Sequence, residues 1–330
     1  MSWCFRALPL LASFLLACFT CSAQAETAAP ITSIAISPDY TSLVMASQSG
    51  LTVRKIKSGA SSASQELDAG AGSTYEIPTA NIHAIRFSPT GTRLLICGGR
   101  PSESSFTGIY TWPDMQPLVT IENEGDSHLC GLWLDQDTIV TGGLDAVVRI
   151  LESDTLSVTH ELKAHSGGVT SLATFPEHRL LVSGGLDNSL RVWDLDDYTL
   201  QRSLNQHIQP VTDLAPSLPV VGLPLVASAS NDRTVRFWQP SLGRMVRFIK
   251  LPSKPQAITW LAENQLGAAC SDGMLYVVDT LNVEIVVARH LKTGWCYDID
   301  KVRDKTSLFV SGTKGRIETV NTPSLLGNEP

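Results

Sequence analysis

His165, Ser183 and Asp187 are the three residue types of a hydrolase triad, in which an imidazole takes the proton of a serine and a carboxylate orients the imidazole. The same trio recurs as His207, Ser228 and Asp232, and an indole follows each time, Trp193 and Trp238. A nucleophile works at one exposed site facing a substrate, so a trio repeated with a trailing tryptophan reads as a buried hydrogen-bond network of a repeated scaffold. Other chemistry finds less support. The seven histidines show no pairing at metal-ligand spacing, and no Cys-x-x-Cys lies beyond the first 25 residues, so no metal site is expected. Gly98-Gly99, Gly142-Gly143 and Gly184-Gly185 sit inside apolar strands, not at strand-to-helix junctions, which argues against phosphate loops. Asp196-Asp197 and the pair Asp298 and Asp300 are expected on turns or solvated strand faces. No catalytic residue and no cofactor is assigned, and the expectation is a protein that is not an enzyme.

The elements that carry the two trios repeat. Leu181 to Asp194 and Val226 to Gln239 align without gaps, each reading as a short apolar strand, a tight turn with Asp187 or Asp232, and an alternating strand. A hairpin is the consequence. Equivalent turns are expected at Ser49, Thr107, Asp145, Asp187, Asp232, Asp272 and Lys314, in steps of 38 to 45 residues after a first step of 58. That is the period of a four-stranded propeller blade. Another apolar strand precedes each hairpin, at 31–36, 82–87, 129–134, 169–175, 211–214, 256–261 and 295–299, and two of these run into Ser-Pro turns at Pro38 and Pro89. No helical apolar period stands out beyond the leader. The expectation is an all-β fold: a seven-bladed β-propeller of four-stranded antiparallel blades over residues 26–330, with six or eight blades as alternatives.

Leu190-Arg-Val-Trp193-Asp194, with His165 and Asp187 before it, resembles the WD-repeat (WD40-type) β-propeller family. The resemblance covers roughly residues 31 to 321 and is strongest in blades four and five. Blades three and six keep Asp145 and Asp272 but carry Leu151 and Val278 in the tryptophan position, and blades one, two and seven lack the aspartate. It implies that His165, Ser183, Asp187 and Trp193, and likewise His207, Ser228, Asp232 and Trp238, form structural hydrogen-bond networks. It also implies that the Asp turns open onto a docking face, that the partners are other proteins, and that a strand from one chain end completes the last blade. Thr322 to Pro330 are expected to supply that strand.

On that face, Arg100 to Thr107 reads as an insertion lengthening the blade-two turn, with Arg100 and Phe106 as candidate anchors beside Asn188, Arg233 and Lys314 in equivalent turns. Ser58 to Ser73, rich in Gly, Ala and Ser, reads as a flexible loop after blade one. Trp133, Trp260 and Trp295 are expected to pack between blades. Their alternative role is a stacking wall in the central channel, which would make the protein a propeller enzyme or small-ligand receptor.

The first 25 residues have the layout of a secretory signal peptide: Arg6, an apolar run from Ala7 to Phe19, and Ala23-Gln24-Ala25 before Glu26. Leu15-Leu16-Ala17-Cys18 also resembles a bacterial lipobox, so the alternative is a lipid anchor at Cys18. The expected location is outside the cytoplasm, whether periplasmic, envelope-associated or secreted, with no transmembrane span after cleavage. Cys97, Cys130, Cys270 and Cys296 remain beyond the leader, candidates for two disulfides or four buried thiols. A net charge of −7 with no basic run argues against a nucleic-acid partner.

Overall fold

A computed structural model describes residues 28–58, 65–68, 70, 72–217, 223–302 and 307–322. The expected leader, Cys18 and nearly all of the expected closing strand lie outside the described residues. The chain forms a seven-bladed β-propeller, and no helix among the described residues is long and apolar enough to cross a membrane.

Five blades are four-stranded antiparallel meanders. Blade 2 holds β6 (Ile82–Phe87), β7 (Arg93–Arg100), β8 (Ser104–Thr111) and β9 (Pro117–Glu124). Blade 3 holds β10 (His128–Trp133), β11 (Thr138–Gly143), β12 (Val147–Glu152) and β13 (Val158–Lys163). Blade 4 runs through β14 (Val169–Phe175), β15 (Leu180–Gly185), β16 (Leu190–Asp194) and β17 (Leu200–Leu204). Blade 5 follows with β18 (Val211–Pro216), β19 (Val226–Ser230), β20 (Thr234–Gln239) and β21 (Arg244–Lys250). Blade 6 comprises β22 (Pro255–Ala262), β23 (Gln265–Cys270), β24 (Met274–Asp279) and β25 (Glu284–His290).

The two end blades depart from four strands. Blade 1 has β1 (Ile31–Ile36), β2 (Ser42–Ser47) and β3 (Gly50–Ser58), and both β4 (Gln65–Leu67) and β5 (Ser73–Tyr75) pair with β3. Its outer strand is therefore split in two, and part of the stretch expected as a loop is sheet. Blade 7 has three strands among the described residues, β26 (Cys296–Lys301), β27 (Ser307–Gly312) and β28 (Ile317–Asn321).

There is no single core. Each pair of neighbouring blades encloses its own apolar cluster, for example Ala173, Val182 and Val192 of blade 4 against Val211, Val226 and Trp238 of blade 5. The seam between the last blade and the first is built the same way, with Phe309 and Val302 against Ile31, Ile34, Leu43 and Met45. Alternation along each strand points successive side chains to opposite faces, so one strand feeds two interfaces. The glycine pairs belong to this packing. A Cβ on Gly142 or Gly184 would fall 2.6 or 2.7 Å from the Cγ1 of Val169 or Val211 on the next blade.

All seven innermost strands carry a register slip at the same place, near their first residue. A bulge of this kind leaves one residue out of the ladder and turns its side chain sideways. In three blades that residue is a threonine whose hydroxyl donates to the next blade: Thr32 to the Ile82 carbonyl at 2.6 Å, Thr170 to Val211 at 2.7 Å and Thr212 to Pro255 at 2.8 Å. The slip converts a strand position into an inter-blade link.

Candidate functional site

The network in blade 4 forms one chain of bonds. The Trp193 indole N–H donates to Ser183 Oγ at 2.8 Å, Ser183 Oγ lies 2.8 Å from His165 Nε2, and His165 Nδ1 lies 3.0 Å from Asp187 Oδ2. Blade 5 repeats it with Trp238, Ser228, His207 and Asp232 at 2.8, 2.7 and 2.8 Å. One tautomer satisfies every member: a neutral imidazole protonated on Nδ1, which donates to the carboxylate and accepts the serine proton on Nε2. Burial holds both imidazoles below their ordinary pKa despite the adjacent carboxylates, in keeping with a neutral ring. Burial alone would raise Asp187, but bonds from the Ser189 hydroxyl, the Ser166 N–H and His165 hold it below the usual range. Asp232 is lowered in the same manner by His207 and Thr234.

Ser183 and Ser228 are fully buried, and each hydroxyl already donates to a histidine and accepts from a tryptophan. Neither has a free proton or an exposed surface with which to meet a substrate. Blade 3, which lacks the histidine and the tryptophan, leaves its equivalent Thr141 hydroxyl buried and without a partner among the described residues, while Asp145 turns to Arg149 at 2.6 Å.

The turns between the second and third strands meet the connections from each outer strand to the next blade at one end of the ring, here the upper face. Asn188, Arg233 and Lys314 occupy one position in these turns, each left-handed with φ of 64°, 67° and 59°, as are Ala146 and Gly273 in blades 3 and 6. All three are displayed on this face. Blade 2 differs from expectation. Its turn is only Pro101–Glu103, because the extra residues lengthen β7 and β8 instead, and Thr107 lies mid-strand, 2.8 Å from His128 Nδ1. Phe106, expected as an anchor on the rim, is 1% exposed in the core between blades 1 and 2. Arg100 is exposed and sits 3.6 Å from Glu103.

The upper face is divided by charge. Over blades 1 to 3 its exposed ends carry Glu76, Glu103 and Glu124 against Arg100 and Lys163, the last paired with Glu161, and over blades 5 to 7 they carry Arg233, Lys250, Lys254, Lys292, Lys314 and Arg316 against Asp272. Between and beside these halves stand apolar side chains, Leu186 at 41%, Ile208 at 72% and Trp295 at 45% exposure.

The central channel opens into a cavity of about 120 Å³ lined by all seven innermost strands. Arg86 lies deep in the ring yet keeps an open surface, because it faces this space. Burial opposes its charge, but Asp298, Asp213 and Asp300 raise its pKa above the ordinary value without a direct ion pair among the described residues. These acids are not on solvated faces, contrary to the expectation for Asp298 and Asp300. Asp298 Oδ2 accepts from the Ser33 hydroxyl and the Ile34 N–H at 2.9 Å, and Asp300 Oδ2 accepts from the Ile36 N–H at 3.0 Å, tying blade 7 to blade 1. Asp213 accepts from Ser171 of blade 4 at 3.0 Å and from the Ile258 N–H of blade 6 at 2.8 Å. Burial pushes Asp213 and Asp300 up to about 6. The signal available in the sequence was an aspartate at 213 and 298 where Ser33 and Ser171 occupy the same strand position.

Among the described residues no tryptophan lines the channel. Trp133 and Trp260 are buried between blades, their indole N–H groups bonded to the Arg86 and Ala215 carbonyls at 3.1 Å, and Trp295 is on the upper face. The four cysteines are free and buried in the structure, the second of the two arrangements that the sequence left open. Each sits inside a blade interface, and burial pushes Cys97 up to about 12 and raises the other three. Among the described residues no cluster of His, Cys, Asp and Glu could hold a metal ion.

Residues 156–194 and 198–239 match the family described as WD domain, G-beta repeat. The chain thus carries two WD40 repeats within a seven-bladed propeller, and each matched stretch takes the outer strand of one blade with the three inner strands of the next. They are the two repeats that end in the complete networks. None of the curated proteins matches this chain.

Proposed function

We propose that the protein is an exported, non-enzymatic scaffold that binds other proteins through its upper face. The observation that carries this reading is apolar surface where the fold has no use for it: Leu186, Ile208 and Trp295 stand exposed on that face. Side chains of this type flanked by charge are the usual composition of a protein-binding patch. WD40 repeats generally serve such binding, which supports the same reading. The non-enzymatic part is supported by the trios, whose serines are buried with both bonding capacities engaged. Export rests on the sequence of the first 25 residues alone.

The test of binding is co-isolation from the source cell with the full chain as bait, beside an Ile208→Asp, Leu186→Asp variant. Partners retained by the parent and lost by the variant, at unchanged melting temperature, are the expected result; identical partner sets would overturn the assignment of the face. Intact mass of the mature protein tests export. A start at Glu26 or a lipid-modified start at Cys18 agrees with it, and an intact Met1 on cytosolic protein removes it.

A further inference from the structure

The upper rim of blades 5 to 7 gathers cations that are scattered in the sequence. Arg233 and Lys314 come from strand-to-strand turns, Lys254 and Lys292 from connections between blades, and Lys250 and Arg316 from the strand ends beside them. Backbone bonds hold these segments side by side. The Leu251 N–H donates to the Arg233 carbonyl at 2.7 Å, Ser271 N–H to Lys254 at 2.9 Å, and Thr313 N–H to Trp295 at 3.2 Å, while Arg316 Nη1 reaches the Lys292 carbonyl at 2.9 Å. All six side chains are exposed, and none forms an ion pair among the described residues. The nearby acids are engaged: Asp272 by the Met274 N–H and the Tyr276 hydroxyl, and the half-buried Glu318 by the Lys292 N–H and the Arg289 guanidinium. Trp295 stands within this arc, 45% exposed.

We infer that this arc is the seat of an extended acidic peptide segment of a partner protein, held by its carboxylates along the rim and by one apolar side chain against Trp295. The inference rests on the scaffold reading and names the partner's chemistry. Six like charges on one rim of a protein whose net charge is −7 repel one another until an anionic chain lies between them. An exposed indole at the centre of a charged patch is the side chain most often found as an anchor. The shape of the charge selects among anions. A flat anionic membrane or a duplex docking on this face would also meet Glu76, Glu103 and Glu124 over blades 1 to 3, whereas a single extended chain can follow the basic half alone.

The probe is a fluorescein-labelled peptide of Asp and Glu with one central Leu, titrated with the full-length protein by fluorescence anisotropy. Saturable binding is expected, weakening about tenfold or more as salt rises from about 50 to about 300 mM, since screening shortens the reach of exposed charges. Lys254→Glu with Lys292→Glu should weaken it at least about tenfold, and Trp295→Ser several-fold, at unchanged melting temperature. Arg100→Glu, on the opposite half, should leave it unchanged. No saturable binding, or equal binding by the Lys254→Glu, Lys292→Glu protein, overturns the inference, as does tighter capture of phosphatidylserine vesicles or duplex DNA by the same arc. If the arc variants keep every partner that the Ile208→Asp, Leu186→Asp variant loses, the scaffold reading stands and only the acidic-peptide assignment falls.

Discussion

At the scale of single residues, the serine of each trio serves two neighbours at once. Ser183→Ala would strand the Trp193 indole N–H and the His165 Nε2 in a buried site, at a cost of about 1–3 kcal/mol. Urea unfolding should show that loss, with peptide or partner binding by the folded fraction unchanged. A variant as stable as the parent would refute the structural role. The titrating groups pull in opposite directions. Asp213 and Asp300 stand at about 6 against an ordinary 3.8, so the native state binds their protons more tightly than the unfolded chain does. The resulting penalty is full above pH 6 and is relieved as pH falls toward 3.8, on the order of 3 kcal/mol per group at the limit. His165 and His207 lie below 6.5, so what they contribute is full above 6.5 and is lost as pH falls through their native values. Asp213→Asn removes one of the first kind. In denaturant titrations the parent should therefore gain stability relative to the variant as pH falls from 7 to 4.5, and a difference that does not change with pH would count against the buried carboxylate. The trios were legible in the sequence because they repeat with their tryptophans. Asp213, Asp298, Asp300 and Arg86 were not, because an acid on an alternating strand looks the same whether it faces bulk water or a narrow channel.

At the scale of elements, six of the seven expected hairpin turns fall at the upper end of their blades, and the innermost strands agree with their expected spans to within one or two residues at most ends. Blade 2 shows where that reading fails. Extra residues between two apolar runs can lengthen a turn or extend both strands, and the alternation in Ser104 to Thr111 allowed the second. The correction reverses the expected effect of substitution. Phe106→Ala should cost about 3–5 kcal/mol as a core truncation. Arg100→Ala should stay within about 0.5 kcal/mol. Thermal unfolding of the two variants decides the matter, and the reverse order would restore Phe106 to the surface. The inner-strand bulges had no signature at all, because a bulged Thr32, His83 or Gln256 preserves the apolar rhythm on either side of it.

At the scale of the whole molecule, stability is distributed over seven blade interfaces, and the seam between blades 7 and 1 lacks a covalent link among the described residues. Asp298→Ala would remove the acceptor of the Ser33 hydroxyl and of the Ile34 N–H, leaving a backbone donor buried at that seam. The expected loss is about 1–3 kcal/mol, with amide exchange accelerated first in β1 and β26 and last in blades 3 to 5. Uniform acceleration around the ring would show that the seam is no weaker than the other interfaces. The period of the repeats made the ring legible, since blades of this length cannot bury their faces alone. How the ring closes was not, because the closing contacts join residues more than 260 positions apart.

The division of charge across the upper face also acts before any contact is made. Acid over blades 1 to 3 and base over blades 5 to 7 give the ring a dipole lying in the plane of that face. A charged partner arriving by diffusion would be turned by this field while still about a Debye length away, about 10 Å at 0.1 M salt, and would reach the rim already oriented. Speed of encounter, and its loss with ionic strength, is then a property of where seven blades place their loops.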